Sequence, residues 1–199
     1  MVFKFIYNLK KEQGTTLIEL LVVIFIIVLL SMILVSNFPE IQRQLALSRV
    51  TYKLAQDLRR AEDLALSGVK TSDSAGNLIE EAKGYGVYVE PGLQPTQYII
   101  YADKDGSLDY GGLQSDSIIE VVDISENNPS LFIAGTYIDN GNITDNDVSI
   151  NFNPPNPTTT ITSGGDICAN CSVGITLGLK TGPATRTVLV NTSGAISVK

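Results

Sequence analysis

The 199-residue chain contains no histidine. Histidine is the usual general base at neutral pH and the commonest imidazole metal ligand. Its absence excludes serine or cysteine catalytic triads of the histidine type. In addition, no nucleophile paired with a base, glycine-rich phosphate loop or multi-ligand metal cluster stands out in the sequence. We therefore expect that the protein is not an enzyme.

Basic residues are few in the last two thirds of the chain. The whole sequence has 14 Lys and Arg against 21 Asp and Glu, for a formal net charge of −7. The basic residues beyond position 68 are Lys70, Lys83, Lys104, Lys180, Arg186 and Lys199. Nonspecific nucleic-acid binding depends on clustered Lys and Arg that displace counterions from phosphate. We therefore expect no nucleic-acid partner.

A long apolar run near the N-terminus extends from Leu17 to Val35 and contains a single early acid, Glu19. The 19 residues of this run would form a helix about 28 Å long, which matches the hydrocarbon thickness of a bilayer. A basic pair, Lys10 and Lys11, and then Gly14 precede it. A secretory signal peptide has its small residues after the apolar core instead. An ordinary signal anchor is the other interpretation, but it leaves Gly14 without a role.

The segment GTTLIE, from Gly14 to Glu19, follows a short basic leader and opens the apolar run. In this it resembles the processing site of type IV pilins and pseudopilins. The resemblance implies that a membrane prepilin peptidase cuts after Gly14 and N-methylates Thr15, the new first residue. The family more often has phenylalanine or methionine at this position. Glu19 would be the fifth mature residue, and the resemblance implies that it recruits and aligns subunits during assembly.

The cost of burying Glu19 supports that role independently. An ionised side chain in the middle of a membrane helix costs about 2.5 to 3.5 kcal/mol on insertion scales, so it is usually kept for a partner. In a bundle of packed helices, the Glu19 carboxylate could pair with the amine of Thr15 on a neighbouring subunit. Such a pair would compensate both buried charges and set the axial register.

The charge distribution predicts the orientation in the membrane. The basic leader precedes the span and the acidic bulk follows it, which places the N-terminus in the cytoplasm and the head outside. Removal of residues 1–14 would change the net charge from −7 to −9, because the leader holds three Lys and one Glu. We expect a single-pass protein of the inner (cytoplasmic) membrane that then enters an extracellular or periplasmic filament.

Four segments are predicted: a leader at 1–14, a transmembrane and assembly helix at 15–35, an amphipathic continuation of the helix at 36–68, and a β-rich head at 69–199. The apolar side of the continuation recurs every three or four residues, at Leu47, Val50, Leu54, Leu58, Ala61 and Ala65. The charged residues between them are expected on a solvated face, Asp57 included. Gly68 predicts a helix end near Ser67. Pro39 predicts either a kink or local unwinding, or the start of a second helix.

Beyond Gly68 the pattern changes to short strand-like runs. These are Tyr85 to Val89, Tyr98 to Tyr101, Ile118 to Ile124, Leu131 to Ile138, Val148 to Phe152, Ile175 to Leu179 and Arg186 to Val198. Turn formers separate them, and NTSG between TVLV and AISV predicts a closing hairpin. The fold class is therefore α+β, with a long protruding N-terminal helix packed on an antiparallel sheet. This architecture is similar to that of pilins, and the head loosely resembles the minor pseudopilins of type II secretion.

Three acidic residues, Asp103, Asp105 and Asp109, surround Gly106 in the segment ADKDGSLDYGG. Closely spaced carboxylates around a glycine are typical of oxygen-rich calcium loops, although the spacing is not that of an EF-hand. The other interpretation is a solvated turn in which Asp and Gly serve the backbone geometry. Calcium is the one cofactor that this segment suggests.

The two cysteines, Cys168 and Cys171, are predicted to form a disulfide, because a cysteine pair outside the cytoplasm normally oxidises. Its small loop would give modest stabilisation and shape the neighbouring segment. A zinc site would need carboxylate ligands, since histidine and a second cysteine pair are lacking. Redox catalysis is disfavoured because no βαβ pattern surrounds the pair.

The motifs together predict a structural subunit of a type IV pilus-like or type II secretion pseudopilus filament. Its expected partners are other copies of itself or related pilins, the prepilin peptidase, the inner-membrane assembly platform and membrane lipid. A major pilus subunit, a minor subunit and a secretion pseudopilin all fit the motifs. The alternative is a membrane-anchored extracytoplasmic binding module that does not polymerise.

Overall fold

The computed structural model describes residues 15–126, 128–139, 147–154 and 158–199. The predicted leader, with Gly14, lies outside the described residues. The chain divides into two units, one up to Ile41 and one from Gln42 to Lys199. The second unit therefore contains the rear part of the helix as well as all the strands, whereas the sequence placed the start of the head at residue 69.

A single helix, α1, spans Leu17–Ser67. Its first turn is capped, because Thr16 Oγ1 accepts a hydrogen bond of 3.3 Å from the backbone N–H of Glu19. Gly68 follows the last turn with a φ of 58°, the left-handed conformation that commonly ends helices. The predicted end at Ser67 is confirmed. The backbone stays helical through Pro39, so neither local unwinding nor a new helix start occurs there.

Ten strands follow among the described residues of the second unit. They are β1 Gly84–Val89, β2 Gln97–Asp103, β3 Asp116–Asp123, β4 Leu131–Asp139, β5 Val148–Asn153, β6 Thr158–Ser163, β7 Asp166–Cys168, β8 Ser172–Leu179, β9 Thr185–Asn191 and β10 Ile196–Val198. They form a six-stranded sheet of order β3-β2-β1-β5-β6-β7 and a four-stranded sheet of order β10-β9-β8-β4. All strand pairs are antiparallel. The α+β class is thus confirmed, with two sheets in place of the one predicted.

The strand predictions differ from the structure mainly after residue 153. The hairpin around NTSG is confirmed, since Ile196 pairs with Val190 across it. Strands β6 and β7 were missed, because their threonine-rich and short sequences follow a proline-rich segment that predicts a turn. β6 pairs with β5 and β7 pairs with β6, and these ladders supply the hydrogen bonds that local propensity does not predict.

The rear half of α1 supplies one side of the hydrophobic core. The predicted apolar positions Leu54, Leu58 and Ala61 are completely buried in one cluster with strand residues such as Val87 and Ile150. The predicted periodicity is therefore confirmed for this segment. Burial of its apolar face accounts for the stability of the helix within this unit, since helices in proteins are stabilised mainly by tertiary packing.

Asp57 was predicted on the solvated face of the helix, and this prediction is wrong. Its side chain is buried and accepts a hydrogen bond of 2.5 Å from the Tyr98 hydroxyl. Lys53, one turn earlier, lies 2.9 Å from the same carboxylate oxygen. Burial and the nearby Asp57 charge both raise the pKa of Tyr98 above its ordinary value, so the phenol remains the donor. A buried tyrosine hydroxyl needs such a partner, which the sequence pattern of the helix cannot predict.

The two faces of the six-stranded sheet differ in chemistry. Val87 lies opposite Ile100 and Ile150 on the apolar face. Gly86, the next residue back, lies opposite Tyr101 and Asn151 on the other face. The polar face continues through Asp103 and Ser149, which alternation places on the same side as Tyr101 and Asn151. Both residues are nevertheless fully buried, because the chain between β2 and β3 covers them.

Candidate functional site

The first candidate site is the apolar part of α1 from Leu17 to Val35. All its side chains are exposed, and even the least exposed large ones, Val22 and Leu29, keep 46% of their surface accessible. Among the described residues, this is the one helix that is long and apolar enough to cross a membrane. A helix that is apolar on every side requires lipid or other apolar helices around it.

Glu19 lies in the first turn of this helix, and its side chain is exposed. The helix N-terminus carries a partial positive charge, so a carboxylate is favourable there. Thr16 and Glu19 have the spacing of a capping box, in which the threonine accepts from the glutamate N–H, as it does here. This role of Thr16 was not predicted above, although the T-x-x-E pattern before an apolar run indicates it. Thr15 lies just outside the helix and is exposed.

The second candidate site is the acidic loop, residues 103–116, which joins β2 to β3. The Asp103 carboxylate accepts hydrogen bonds from the backbone N–H groups of Gly106 (2.6 Å) and Leu108 (3.1 Å). Gly106 and Leu108 both have positive φ, of 81° and 68°. The loop therefore turns tightly around a carboxylate that is itself completely buried.

Asp116 pairs with Asp103 at the end of the β2–β3 ladder that adjoins the loop. Its carboxylate is almost completely buried and accepts hydrogen bonds from the N–H groups of Gly111 (2.7 Å) and Lys104 (3.3 Å). Burial raises the pKa of the Asp116 carboxyl, and the charges of Asp103 and Asp105 raise it further, against the lowering effect of those two hydrogen bonds.

Asp105 completes a cluster with Asp103 and Asp116, in which one carboxylate oxygen from each residue lies within 4.8 Å of the others. Asp105 is exposed, and hydrogen bonds from Ser107 hold its pKa below the ordinary value. Lys83 donates to the backbone carbonyl of Asp105 at 2.7 Å. Three carboxylates at this spacing could hold a hard cation through oxygen ligands.

Asp109, which the sequence analysis grouped with Asp103 and Asp105, is not part of this cluster. Its carboxylate accepts hydrogen bonds from the Ser149 hydroxyl at 2.6 Å and the Thr162 hydroxyl at 3.2 Å. These contacts attach the acidic loop to strands β5 and β6. The structure thus puts Asp116 where the sequence suggested Asp109. The pairing of Asp116 with Asp103 could have been predicted only by extending both strands of the hairpin beyond their apolar residues.

Tyr110 also holds the acidic loop against the sheet. Its ring lies 4.9 Å from that of Tyr88 and 5.3 Å from that of Tyr101, measured between centroids. Gly86 makes room for the Tyr101 ring, since a Cβ at this position would lie 2.8 Å from two of its carbon atoms. The ring contacts of Tyr110 and the hydrogen bonds of Asp109 therefore fix the middle of the loop against the sheet.

Asn151 places its side-chain amide next to Asp103. Its side-chain Nδ2 donates to Asp103 at 3.1 Å, while its Oδ1 is buried without a hydrogen-bond partner among the described residues. Gly84, directly opposite Asp103, leaves space for this amide, because a Cβ there would collide with Asn151 Oδ1 and lie 2.6 Å from Asn153 Oδ1. Asn151 was not predicted near Asp103, because its position depends on the pairing of β1 with β5.

Cys168 and Cys171 are joined as a disulfide, with their Cα atoms 6.0 Å apart. Cys168 ends β7 in the six-stranded sheet, and Cys171 directly precedes β8 in the four-stranded sheet. Asn170 between them has a φ of 55°, a conformation that asparagine tolerates better than most residues. The bond therefore stabilises the point where the chain passes from one sheet to the other.

Replacing both Cys168 and Cys171 with alanine is expected to lower the free energy of unfolding by about 2 kcal/mol, the chain-entropy value for a loop this short. Urea denaturation of the oxidised protein and of the variant, both as full chains in detergent, would measure the difference. Reducing the wild-type protein should reproduce most of the loss. If neither the double substitution nor reduction changes the urea midpoint, a stabilising role for the bond is contradicted.

Comparison of the chain with protein-family models, with curated proteins and with solved structures gives no match.

Proposed function

We propose that this protein is a structural subunit of a type IV pilus-like or type II secretion pseudopilus filament, and not an enzyme. The observation that carries this proposal is the apolar surface of α1 from Leu17 to Val35, exposed on every side, with one carboxylate, Glu19, in its first turn. A membrane anchor alone requires only the apolar residues. The carboxylate and the preceding Gly14 are what favour a processed and assembled subunit.

Assembly would begin with cleavage after Gly14 by a membrane peptidase. The new α-amine of Thr15 then lies at the start of α1, one turn before Glu19. When helices of neighbouring subunits pack side by side, the Glu19 carboxylate of one subunit can neutralise the Thr15 amine of the next. Both charges would otherwise remain unpaired among apolar side chains, at a cost of several kcal/mol. A subunit placed higher or lower along the filament axis would leave both charges unpaired and would incur this cost.

The apolar surface of α1 would contact lipid before assembly and the helices of neighbouring subunits after it. Before assembly, the segment from Leu17 to Val35 is long enough to cross the hydrocarbon core as a single span. During assembly, the same side chains exchange lipid for the helices of neighbouring subunits, with the head outside the cytoplasm. An assembly platform in the inner membrane would then extract the subunit.

The first test is the mass of the N-terminal peptide from protein expressed with its native membrane machinery. We expect a chain that starts at Thr15, with or without one added methyl group. Coexpression with an inactivated peptidase is the control, and it should return the chain with its leader. Retention of residues 1–14 in the presence of active peptidase would contradict the proposal and favour an anchored binding module that does not polymerise.

A second measurement distinguishes the kinds of filament. Filaments sheared from the cell surface can be separated from membranes, and the share of this chain in them can be measured by quantitative mass spectrometry. A major subunit should dominate the preparation, whereas a minor subunit should be a small fraction of it. The same preparation identifies which related subunits accompany the chain.

A further inference from the structure

We propose that the outer face of the four-stranded sheet binds a neutral polysaccharide chain. The inner face of this sheet belongs to the core, since Val173, Ile175 and Leu177 of β8 are completely buried there. The alternate residues of β8, with their neighbours on β4 and β9, form the outer sheet face. Its central residues are Phe132, Tyr137, Gly174, Thr176, Gly178 and Thr187. This inference does not depend on filament assembly.

Two aromatic rings of β4 lie over glycines of β8. Tyr137 pairs with Gly174, where a Cβ would collide with the tyrosine ring. Phe132 pairs with Gly178, where a Cβ would lie 3.2 Å from Phe132 Cε1. The glycines therefore let both rings rest against the sheet, and Tyr137 still keeps 49% of its surface exposed.

This arrangement of rings suits a sugar chain. The C–H groups of a sugar ring carry a partial positive charge, so they pack favourably on the negative face of an aromatic ring. Gly174 and Gly178 are four residues apart, which separates the two rings by about 14 Å along the strand. Separate sugar residues of one extended chain could therefore contact the two rings.

Threonine hydroxyls lie between the two rings. Thr176 follows Gly174 by two residues and pairs with Thr187, and their hydroxyl oxygens are 3.1 Å apart. Each hydroxyl can donate one hydrogen bond and accept two, so this contact leaves a donor and several acceptor positions unused. Both threonines are partly exposed. The hydroxyl groups of a sugar, which also donate and accept, are complementary to such a pair.

The outer sheet face is uncharged. Neither β8 nor the part of β4 from Leu131 to Ile138 contains an Asp, Glu, Lys or Arg, although the chain as a whole has a net charge of −7. A charged ligand would find no opposite charge on these strands, and an acidic one would also be repelled by the net charge of the protein. A neutral polysaccharide requires no such partner.

The size of the face favours a narrow ligand over a second copy of the chain. The four strands span three spacings of about 4.8 Å, and the eight residues of β8 rise about 3.4 Å each, so the face measures roughly 14 by 27 Å. This area is about 400 Å², whereas a stable protein interface takes about 800 Å² from each partner. A single sugar chain fits within it.

Isothermal titration calorimetry tests the proposal on the full chain, in micelles of a detergent without a sugar headgroup. The probes are three neutral oligosaccharides, cellohexaose, chitohexaose and maltohexaose, and an acidic one, hexagalacturonate. We expect saturable binding of at least one neutral probe and none of the acidic probe. Failure of all three neutral probes to bind, or equal binding of hexagalacturonate, would overturn the proposal.

Tyr137→Ala should lower the affinity for the neutral probe about tenfold, because it removes a stacked ring. Tyr137→Phe keeps the ring and should retain most of the affinity. Tyr52→Ala is the matched control, since Tyr52 keeps a similar share of its surface exposed, 55%, but lies on α1. Equal affinities of Tyr137→Ala and Tyr52→Ala would refute the assignment of the face.

A second variant separates binding from folding, because the Tyr137 ring also covers Gly174. Circular dichroism at the titration temperature shows whether Tyr137→Ala has folded. Thr176→Val keeps the shape of the side chain and removes only its hydroxyl, so it decides the matter if Tyr137→Ala does not fold. We expect its affinity to fall about threefold to tenfold, as suits the loss of one hydrogen bond. An unchanged affinity would contradict the role of the hydroxyl pair.

Light scattering over a range of protein concentrations tests the competing occupant, a second copy of the chain. We expect the same oligomeric state for the wild type and for Tyr137→Ala. A dimer of the wild type that Tyr137→Ala dissociates would mean that the outer sheet face binds another copy, and it would overturn the proposal.

Discussion

Replacing Glu19 with alanine is expected to reduce filament assembly below detection while the head remains folded. The variant keeps the apolar span of α1, so insertion in the membrane should continue. It loses the carboxylate that would neutralise the Thr15 amine of a neighbouring subunit, and an unpaired charge in that environment costs several kcal/mol for every subunit added. Electron microscopy and quantification of sheared filaments would measure the effect. Normal filaments from this variant would contradict the register role.

Glu19→Gln separates pairing from helix capping. Thr16 Oγ1 accepts from the Glu19 N–H, which is one of the two hydrogen bonds of a capping box, and glutamine can replace glutamate in such a box. If pairing with the amine is the function, Glu19→Gln should fail to assemble, as Glu19→Ala does. If only capping matters, Glu19→Gln should assemble normally. Glu126→Gln is a matched control, because Glu126 is an exposed carboxylate in the turn after β3, and it should form filaments as the wild type does.

Replacing Leu58 with alanine is expected to lower the free energy of unfolding of the head by about 2 to 5 kcal/mol. Leu58 is completely buried in the cluster that α1 shares with the strands. Truncation removes apolar contacts and leaves a cavity that neighbouring side chains fill only in part. This loss is a large share of the stability of an ordinary domain, about 5 to 15 kcal/mol. Urea denaturation followed by the near-ultraviolet signal of the tyrosines would measure it.

Leu66→Ala is the matched control for this prediction. Leu66 lies on the same helix but keeps 53% of its side chain exposed. The substitution has the same chemistry and helix propensity change, so the difference between the two variants reports burial alone. We expect the control to change the free energy of unfolding by less than about 0.5 kcal/mol. Equal losses in the two variants would mean that the helix does not supply the core as described.

The features that the sequence predicted well are those encoded by neighbouring residues. The apolar face at Leu54, Leu58 and Ala61 follows from the 3.6-residue period of a helix, and the helix end follows from Gly68. The hairpin at NTSG depends on a short turn between two apolar runs. Each feature is encoded within a window of a few residues, so no knowledge of distant contacts is needed to find it.

Strand pairing, by contrast, was decided by the tertiary structure. Nothing in the local sequence says that β4 joins a different sheet from β5, or that β6 and β7 extend the six-stranded sheet. Such pairings bring together residues that are far apart in the chain, and the strand propensity of each depends on the partner that it meets. The burial of Asp57 beneath Tyr98 has the same origin, because the tyrosine comes from a strand 41 residues away.

The acidic loop shows how both kinds of information combine. The sequence by itself determined that carboxylates gather around Gly106, that the two cysteines allow one disulfide, and that an apolar segment with one glutamate lies near the N-terminus. The tertiary structure decided which carboxylates meet, because the β2–β3 register brings Asp116 to Asp103 and the β1–β5 pairing brings in Asn151. Backbone turns are local, whereas the side chains around this loop come from strands that only folding places side by side.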